Sequence, residues 1–207
     1  MTVPSASRLA SGSAGAVIHT TDDPALGRVE IAVLDPIADL DVIERWVTAP
    51  SARFWGLGDL SRQELSDVYA FVDGLDTHHA FLIRREGLPI VLLQTYEPEN
   101  DPLGEVYPVE AGDVGIHFLL GDRGAPVAGF TTRVAHVIGA FLFASPAVER
   151  IVIEPDADNE RAVRRALITG FDLGDHVILP GGKAARLAFL TRDRWSRLTA
   201  TRPVAVR

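Results

Sequence analysis

Cysteine is absent from the 207 residues. That excludes disulfides, thiolate metal sites and thiol nucleophiles. A positive balance is absent too: Lys and Arg total 20 against 28 Asp and Glu, a formal charge of −8. General nucleic-acid binding needs clustered positive charge on phosphates, so no nucleic-acid partner is expected. A local basic recess for a small anion remains open, and the acidic balance suits a cationic small substrate. Lysine is nearly missing, with Lys183 alone against nineteen Arg. This reads as coding bias, and rarity is no evidence of catalysis. No apolar run reaches the roughly 18–20 residues of a bilayer span, so no membrane partner is expected. The start of the chain carries an isolated Arg8 but no continuous apolar stretch, unlike a signal peptide. The expected location is the cytoplasm.

What remains is enough for one globular domain: 47% hydrophobic and 23% charged residues. Residues 1–26 are rich in Ser, Ala and Gly without a sustained period and read as a flexible leader. Residues 27–198 read as the domain and 199–207 as a tail. Residues 28–34 alternate as a half-buried strand, and 38–48 carry apolar residues at helical spacing until Pro50. Ser61 with Glu64 three places on is a capping box that opens a helix over 61–73. Residues 80–85 and 88–96 form a hairpin about Glu86-Gly87. A long polar loop covers 98–112, then come a buried strand (113–120), a helix (127–144) and a strand (149–154). A helix over 158–170 is capped by Asp158 or Asn159 and closed by Gly170, and two strands (171–179, 184–191) flank Pro180-Gly181-Gly182. The order β α α β β β α β α β β places the chain in the α/β or α+β class around one mixed sheet.

Four places can hold chemistry. At residues 121–132, GDRGAPVAGFTT, a strand runs through a Gly-rich turn into a helix start, whose amides and dipole favour an anion. It is neither a P-loop nor GxGxxG, and an ordinary loop would look the same. His117, amid the strand DVGIHFLL, is either a satisfied core histidine or a base tuned toward neutrality. Glu154 ends the strand ERIVIE before Pro155, where ligands of open sheets collect; it is a base, an orienter or a charge at a helix start. Arg53-Phe54-Trp55 lie in a loop, as stacking groups or as a lid on the core. His78-His79 would face opposite sides of a strand and lack a third ligand, so no metal is expected.

Taken in order, GIHF at 115–118, VERIVIEPDADN at 148–159 and the closing Gly170-Phe171 resemble the acyl-CoA-dependent N-acyltransferases of hydroxamate siderophore biosynthesis. That family includes the aerobactin hydroxylysine, mycobactin lysine and desferrioxamine enzymes. RWVTAPSARFWG and VLLQTYEPENDP are similar to the desferrioxamine branch, and the likeness covers roughly residues 28–195. It implies the GNAT fold, a mixed, mostly antiparallel central sheet flanked by helices. It also implies His117 as base, Glu154 as its partner and Asn159 on the acyl-CoA. Phe118, Leu119, Val127, Ala128, Gly129, Phe130, Thr131 and Thr132 fall where the fold binds the cofactor. The turn departs from the family pattern: one Gly remains in its core and no Arg precedes it, with Thr131, Thr132 and Arg133 as substitutes.

Acyl transfer from a thioester needs a neutral nitrogen, an oxyanion donor and a proton acceptor. A hydroxylamine arrives neutral, and an amide of strand 113–120 is the expected oxyanion donor. The implied donor is acetyl- or succinyl-CoA, without metal. The implied acceptor is a small hydroxylamine, hydroxycadaverine or hydroxyputrescine. Its far ammonium would want an acidic or aromatic recess, offered by Tyr96, Glu97 and the acids after them unless these are only a solvated loop face; Phe54 and Trp55 are lining aromatics, and Arg53 would meet the carboxylate of N-hydroxylysine. The alternatives are N-hydroxylysine or lysine as acceptor, another GNAT acceptor such as an aminoglycoside or a protein N-terminus, or a non-catalytic acyl-CoA-binding domain.

Overall fold

The computed structural model describes residues 8–122 and 124–200. The first seven residues of the expected leader and positions 201–207 of the expected tail lie outside the described residues.

One eight-stranded sheet organises the chain. Its strands are β1 (Val17–Asp23), β2 (Gly27–Val33), β3 (His78–Arg85), β4 (Leu88–Tyr96), β5 (Asp113–Leu120), β6 (Arg150–Ile153), β7 (Asp172–Ile178) and β8 (Ala184–Thr191). They lie in the order β1-β2-β3-β4-β5-β6-β8-β7. Every neighbouring pair is antiparallel except β5 and β6, which run parallel. The helices are α1 (Leu40–Val47), α2 (Arg62–Asp73), α3 (Phe130–Phe143), α4 (Glu160–Ile168) and α5 (Arg192–Ala200). The mixed, mostly antiparallel architecture is the one expected.

Each face of the sheet is covered differently. On one side, Val134, Val137, Ile138 and Phe141 of α3 pack on Ile83, Val91, Leu93 and Ile151. On the other, Ile43, Trp46, Leu65 and Tyr69 of α1 and α2 cover Leu82 and Leu92. The loop after β4 seals the rest of that face, with Leu103 against Tyr96, Val152 and Leu187. Local signals act as read: the Ser61 side chain accepts from the Glu64 amide while Glu64 reaches back to the Ser61 amide. Gly170, at φ 101°, turns the chain after α4. Among the described residues no helix is long and apolar enough to cross a membrane.

Two elements escape the sequence reading. Part of the expected leader is β1, an edge strand paired with β2 over six registered positions. Leu9 and Leu26 on either side of it are buried in the core. The backbone ladder and these two anchors, rather than an apolar period along the strand, order the segment. The end of the domain is α5, which has no fully buried residue and therefore no apolar stripe to read.

Candidate active site

The parallel pair β5–β6 is closed at one end and open at the other. Asp113, Val114 and Gly115 register with Arg150, Ile151 and Val152. β5 then runs on to Leu120 while β6 stops at Ile153, and Pro155 removes the next amide. Beyond Gly115 one edge of β5 therefore has no strand beside it. The Gly121 N–H donates to the Ile90 carbonyl on the β4 side at 2.9 Å. Strand alternation then turns the amides of Phe118 and Leu120 to the open edge. The gap opens into a cavity of about 570 Å³, lined from α2 and its preceding loop through β5 to α3 and α4.

A carboxylate sits at the mouth of the gap. The Glu154 side chain is 3% exposed. Its Oε1 meets His117 Nε2 in a short hydrogen bond, and its Oε2 accepts from the Tyr96 hydroxyl at 2.9 Å. Lys183 Nζ lies 3.6 Å from Oε1 and donates to the Glu154 carbonyl at 3.1 Å. The Tyr96 hydroxyl is also 3.4 Å from His117 Nε2. His117 is half-buried, with the edge of Trp55 against it at 6.2 Å between ring centroids. His78 stacks on Tyr96 at 5.7 Å.

Gly115 makes the arrangement possible. A Cβ at that position would lie 2.1 Å from the Tyr96 ring, so only glycine lets the ring cross β5 and reach Glu154.

The electrostatics follow from this packing. Burial works against the Glu154 charge, but His117, Lys183 and the Tyr96 hydroxyl hold its pKa down at about 2. For His117, burial lowers the pKa, and the adjacent Glu154 charge and hydrogen bond overcome that and raise it above 6.5. Burial and the Glu154 charge push the Tyr96 phenol well above its ordinary value, so it is a neutral donor. A neutral His117 that donates from Nε2 to Glu154 keeps Nδ1 as its proton acceptor.

Six of the residues singled out from the sequence as binding groups line this cavity: Phe54, Trp55, Phe118, Leu119, Thr131 and Asn159. His117 and Glu154 line it as well, and they touch. Val127, Ala128, Gly129, Phe130 and Thr132 build the turn into α3 without lining the cavity. Gly129 is the left-handed residue before α3, at φ 69°, and Phe130 is buried beneath it. That turn leaves the first-turn amides of Thr131 and Thr132 without intrahelical acceptors. Asn159 also caps α4, its Oδ1 accepting from the Ala162 amide at 3.1 Å.

Other expectations land elsewhere. Arg53 is exposed, folded over the Phe54 ring at 4.4 Å, and does not line the cavity. Glu97 and Glu99 hold Arg8, and the acidic loop does not line the cavity. Tyr96 is bound to Glu154 inside the protein rather than facing an acceptor. Arg133 pairs with Asp23 of β1 at 2.9 Å and is committed there. Three cations were missed: Arg161 and Arg165 border the cavity from α4, and Lys183 borders it from the β7–β8 turn. Helical spacing of the two arginines, four apart, was the available signal for the first two.

Comparison with known proteins gives this geometry a family. A family model described as an acetyltransferase (GNAT) domain matches residues 35–179, a span holding β2's successor helices through β7. The chain belongs to the GNAT acetyltransferase family. The N(6)-hydroxylysine O-acetyltransferase of Escherichia coli is 29% identical over 164 residues, 74% of this chain and 50% of that protein. The N-hydroxyputrescine acetyltransferase of Acinetobacter baumannii is 27% identical over 121 residues, 57% of this chain and 56% of that protein. The chain thus spans only about half the length of these curated relatives. A solved aminoglycoside acetyltransferase in complex with coenzyme A superposes with a TM-score of 0.71 at 23% identity, covering 83% of this GNAT chain and 99% of that one.

Proposed function

We propose that this GNAT protein is an acyl-CoA-dependent N-acyltransferase that acylates an N-hydroxylated diamine, hydroxycadaverine or hydroxyputrescine, to a hydroxamate unit of a siderophore. The contact between His117 and Glu154 at the open end of β5–β6 carries the reading. The similarity to acetyltransferases named for hydroxylysine and hydroxyputrescine supports the acceptor class.

The roles follow from the chemistry. The thioester of acetyl- or succinyl-CoA lies in the gap, with its pyrophosphate toward the Thr131 and Thr132 amides and the positive end of α3. Arg161 and Arg165 supply further positive charge along the same cavity. The hydroxylamine nitrogen attacks the thioester carbonyl and forms the C–N bond. The resulting oxyanion is met by a β5 amide at the open edge, that of Phe118. His117 Nδ1 takes the proton from nitrogen, Glu154 stabilises the imidazolium, and the C–S bond breaks to release CoA thiolate, which is then protonated. Trp55 and Phe54 give the acceptor an aromatic wall. No acyl-enzyme is required. The family match covers residues 35–179, and the sheet that carries the proposed chemistry also includes β1 ahead of the expected domain start at residue 27.

An aminoglycoside acceptor carries several ammonium groups and wants an acidic cleft. Here the carboxylates lining the cavity are Glu154, already neutralised by His117 and Lys183, and Asp156. That favours the smaller acceptor. The test is CoA release by the purified protein, with acetyl- and succinyl-CoA crossed against N-hydroxycadaverine, N-hydroxyputrescine, cadaverine, N-hydroxylysine and kanamycin. Turnover with an N-hydroxydiamine well above plain cadaverine is the expected result. Turnover confined to kanamycin, or acyl-CoA binding without any release, refutes the reading.

A further inference from the structure

Lys183 is the chain's single lysine, and the acyl-transfer steps above do not use it. Its position is nevertheless fixed by design of the β7–β8 turn. The Leu179 amide donates to the Lys183 carbonyl and the Gly182 amide to the Leu179 carbonyl, both at 2.9 Å. Gly181 and Gly182 sit at φ 95° and 91°, which side-chain-bearing residues rarely adopt. This tight turn delivers the ammonium to Glu154 twice, at 3.1 Å from its carbonyl and 3.6 Å from its carboxylate.

The chemistry gives that charge a purpose. A proton acceptor has to be neutral before it acts, and a carboxylate against an imidazole favours the imidazolium. The groups that face His117 are Glu154 after β6, Tyr96 on β4, Asp101 from the loop after β4, and Lys183. Arg161 and Arg165 border the same cavity from α4. Glu154 and Asp101 hold a proton on His117, Tyr96 is neutral, and Lys183 opposes them.

We infer that Lys183 is a positioning residue: it clamps both the carboxylate and the carbonyl of Glu154 and offsets the negative charge that would otherwise keep His117 protonated. Its consequence for turnover rests on the proposed acyl transfer; its effect on His117 does not.

Two readouts separate these. The first is the NMR titration of the His117 ring in the intact protein, assigned by the signal lost in His117→Gln. It is compared among wild type, Lys183→Met and Lys183→Arg. Lys183→Met raises the midpoint by roughly half a unit to one unit, and Lys183→Arg stays near wild type. The second is kcat/KM against pH with acetyl-CoA and N-hydroxycadaverine. Lys183→Met loses roughly three- to tenfold at pH 7 and recovers at pH 9. Coincident midpoints in wild type and Lys183→Met overturn the inference, as does a loss that is uniform across pH. Separated midpoints in a protein that turns over no hydroxylamine support the role of Lys183 and refute the proposed function instead.

Discussion

Two side-chain pairs link β5 to β6 and the residue that follows β6, four positions apart in each segment, and they do opposite things. At the closed end Arg150 grips Asp113 through two nitrogens, at 2.7 and 2.8 Å. Asp113 also accepts from the Tyr107 hydroxyl at 2.9 Å and the Glu110 amide at 3.0 Å, and its side chain is 0% exposed. Arg150 in turn lies over the Phe189 ring at 4.8 Å. At the open end Glu154 is equally surrounded, but its partner His117 is 38% exposed and lines a cavity, and one edge of β5 there has no strand beside it. A pair whose hydrogen-bonding atoms are all taken up holds strands together. A pair whose imidazole also lines a cavity can move a proton. The short length of β6 creates the difference, because it ends the ladder between the two pairs.

Breaking the closed end is expected to have the largest effect on stability. Asp113→Ala leaves the Arg150 charge without its buried partner and costs about 3–5 kcal/mol. Chemical denaturation measures the loss, while kcat/KM per folded molecule stays within a few-fold of wild type. A comparable loss of turnover in fully folded protein would mean that the two ends are not separable.

Gly115 lies between the pairs and should couple them. Gly115→Ala drives a methyl group into the Tyr96 ring and costs about 1–3 kcal/mol. Displacing Tyr96 also releases one hydrogen bond to Glu154, so kcat falls along with the melting temperature. Unchanged kcat would mean that Tyr96 does not support the site.

The pH dependence sharpens the comparison with the smallest perturbation. The His117 pKa is raised in the folded protein, so the stabilisation from its ion pair is full below pH 6.5 and fades as pH rises through the higher folded value. Activity runs the other way, because the acceptor must be neutral. The expected profile of kcat/KM rises about tenfold per unit below a midpoint above 6.5, then levels. Glu154, held at about 2, keeps its charge down to strong acid, but its stabilising contribution is full only above about pH 4.5 and is lost as pH falls from there to about 2. A profile flat from pH 5.5 to 9 would contradict His117 as the acceptor.

Much of this was legible in the sequence where one element carries its own signal. The capping box at Ser61 and Glu64, the span of β5 with His117 amid it and the placement of Glu154 at the end of its strand are local patterns, and the structure keeps them. What sequence could not give are contacts across the chain. Tyr96 reads as an acceptor-facing aromatic, yet it reaches Glu154 from 58 positions away through the gap left by Gly115. Glu97 reads as part of an acidic recess, but the recess depends on which way the loop turns, and Arg8 turns it aside. Lys183 follows a glycine turn whose direction only the β7–β8 register decides. The strand β1 and helix α5 carry too little apolar patterning to announce themselves, since their order comes from edge pairing and from packing by single residues such as Trp195 on Phe143.

If the open-end pair performs the chemistry, His117→Gln removes its proton acceptor. The measurement is CoA release from acetyl-CoA with N-hydroxycadaverine, with acetyl-CoA binding and thermal melting followed on the same preparation. The expected result is a loss of roughly 10²–10⁴-fold in turnover with binding and fold retained. Turnover within a few-fold of wild type in a folded, cofactor-binding His117→Gln protein would contradict it.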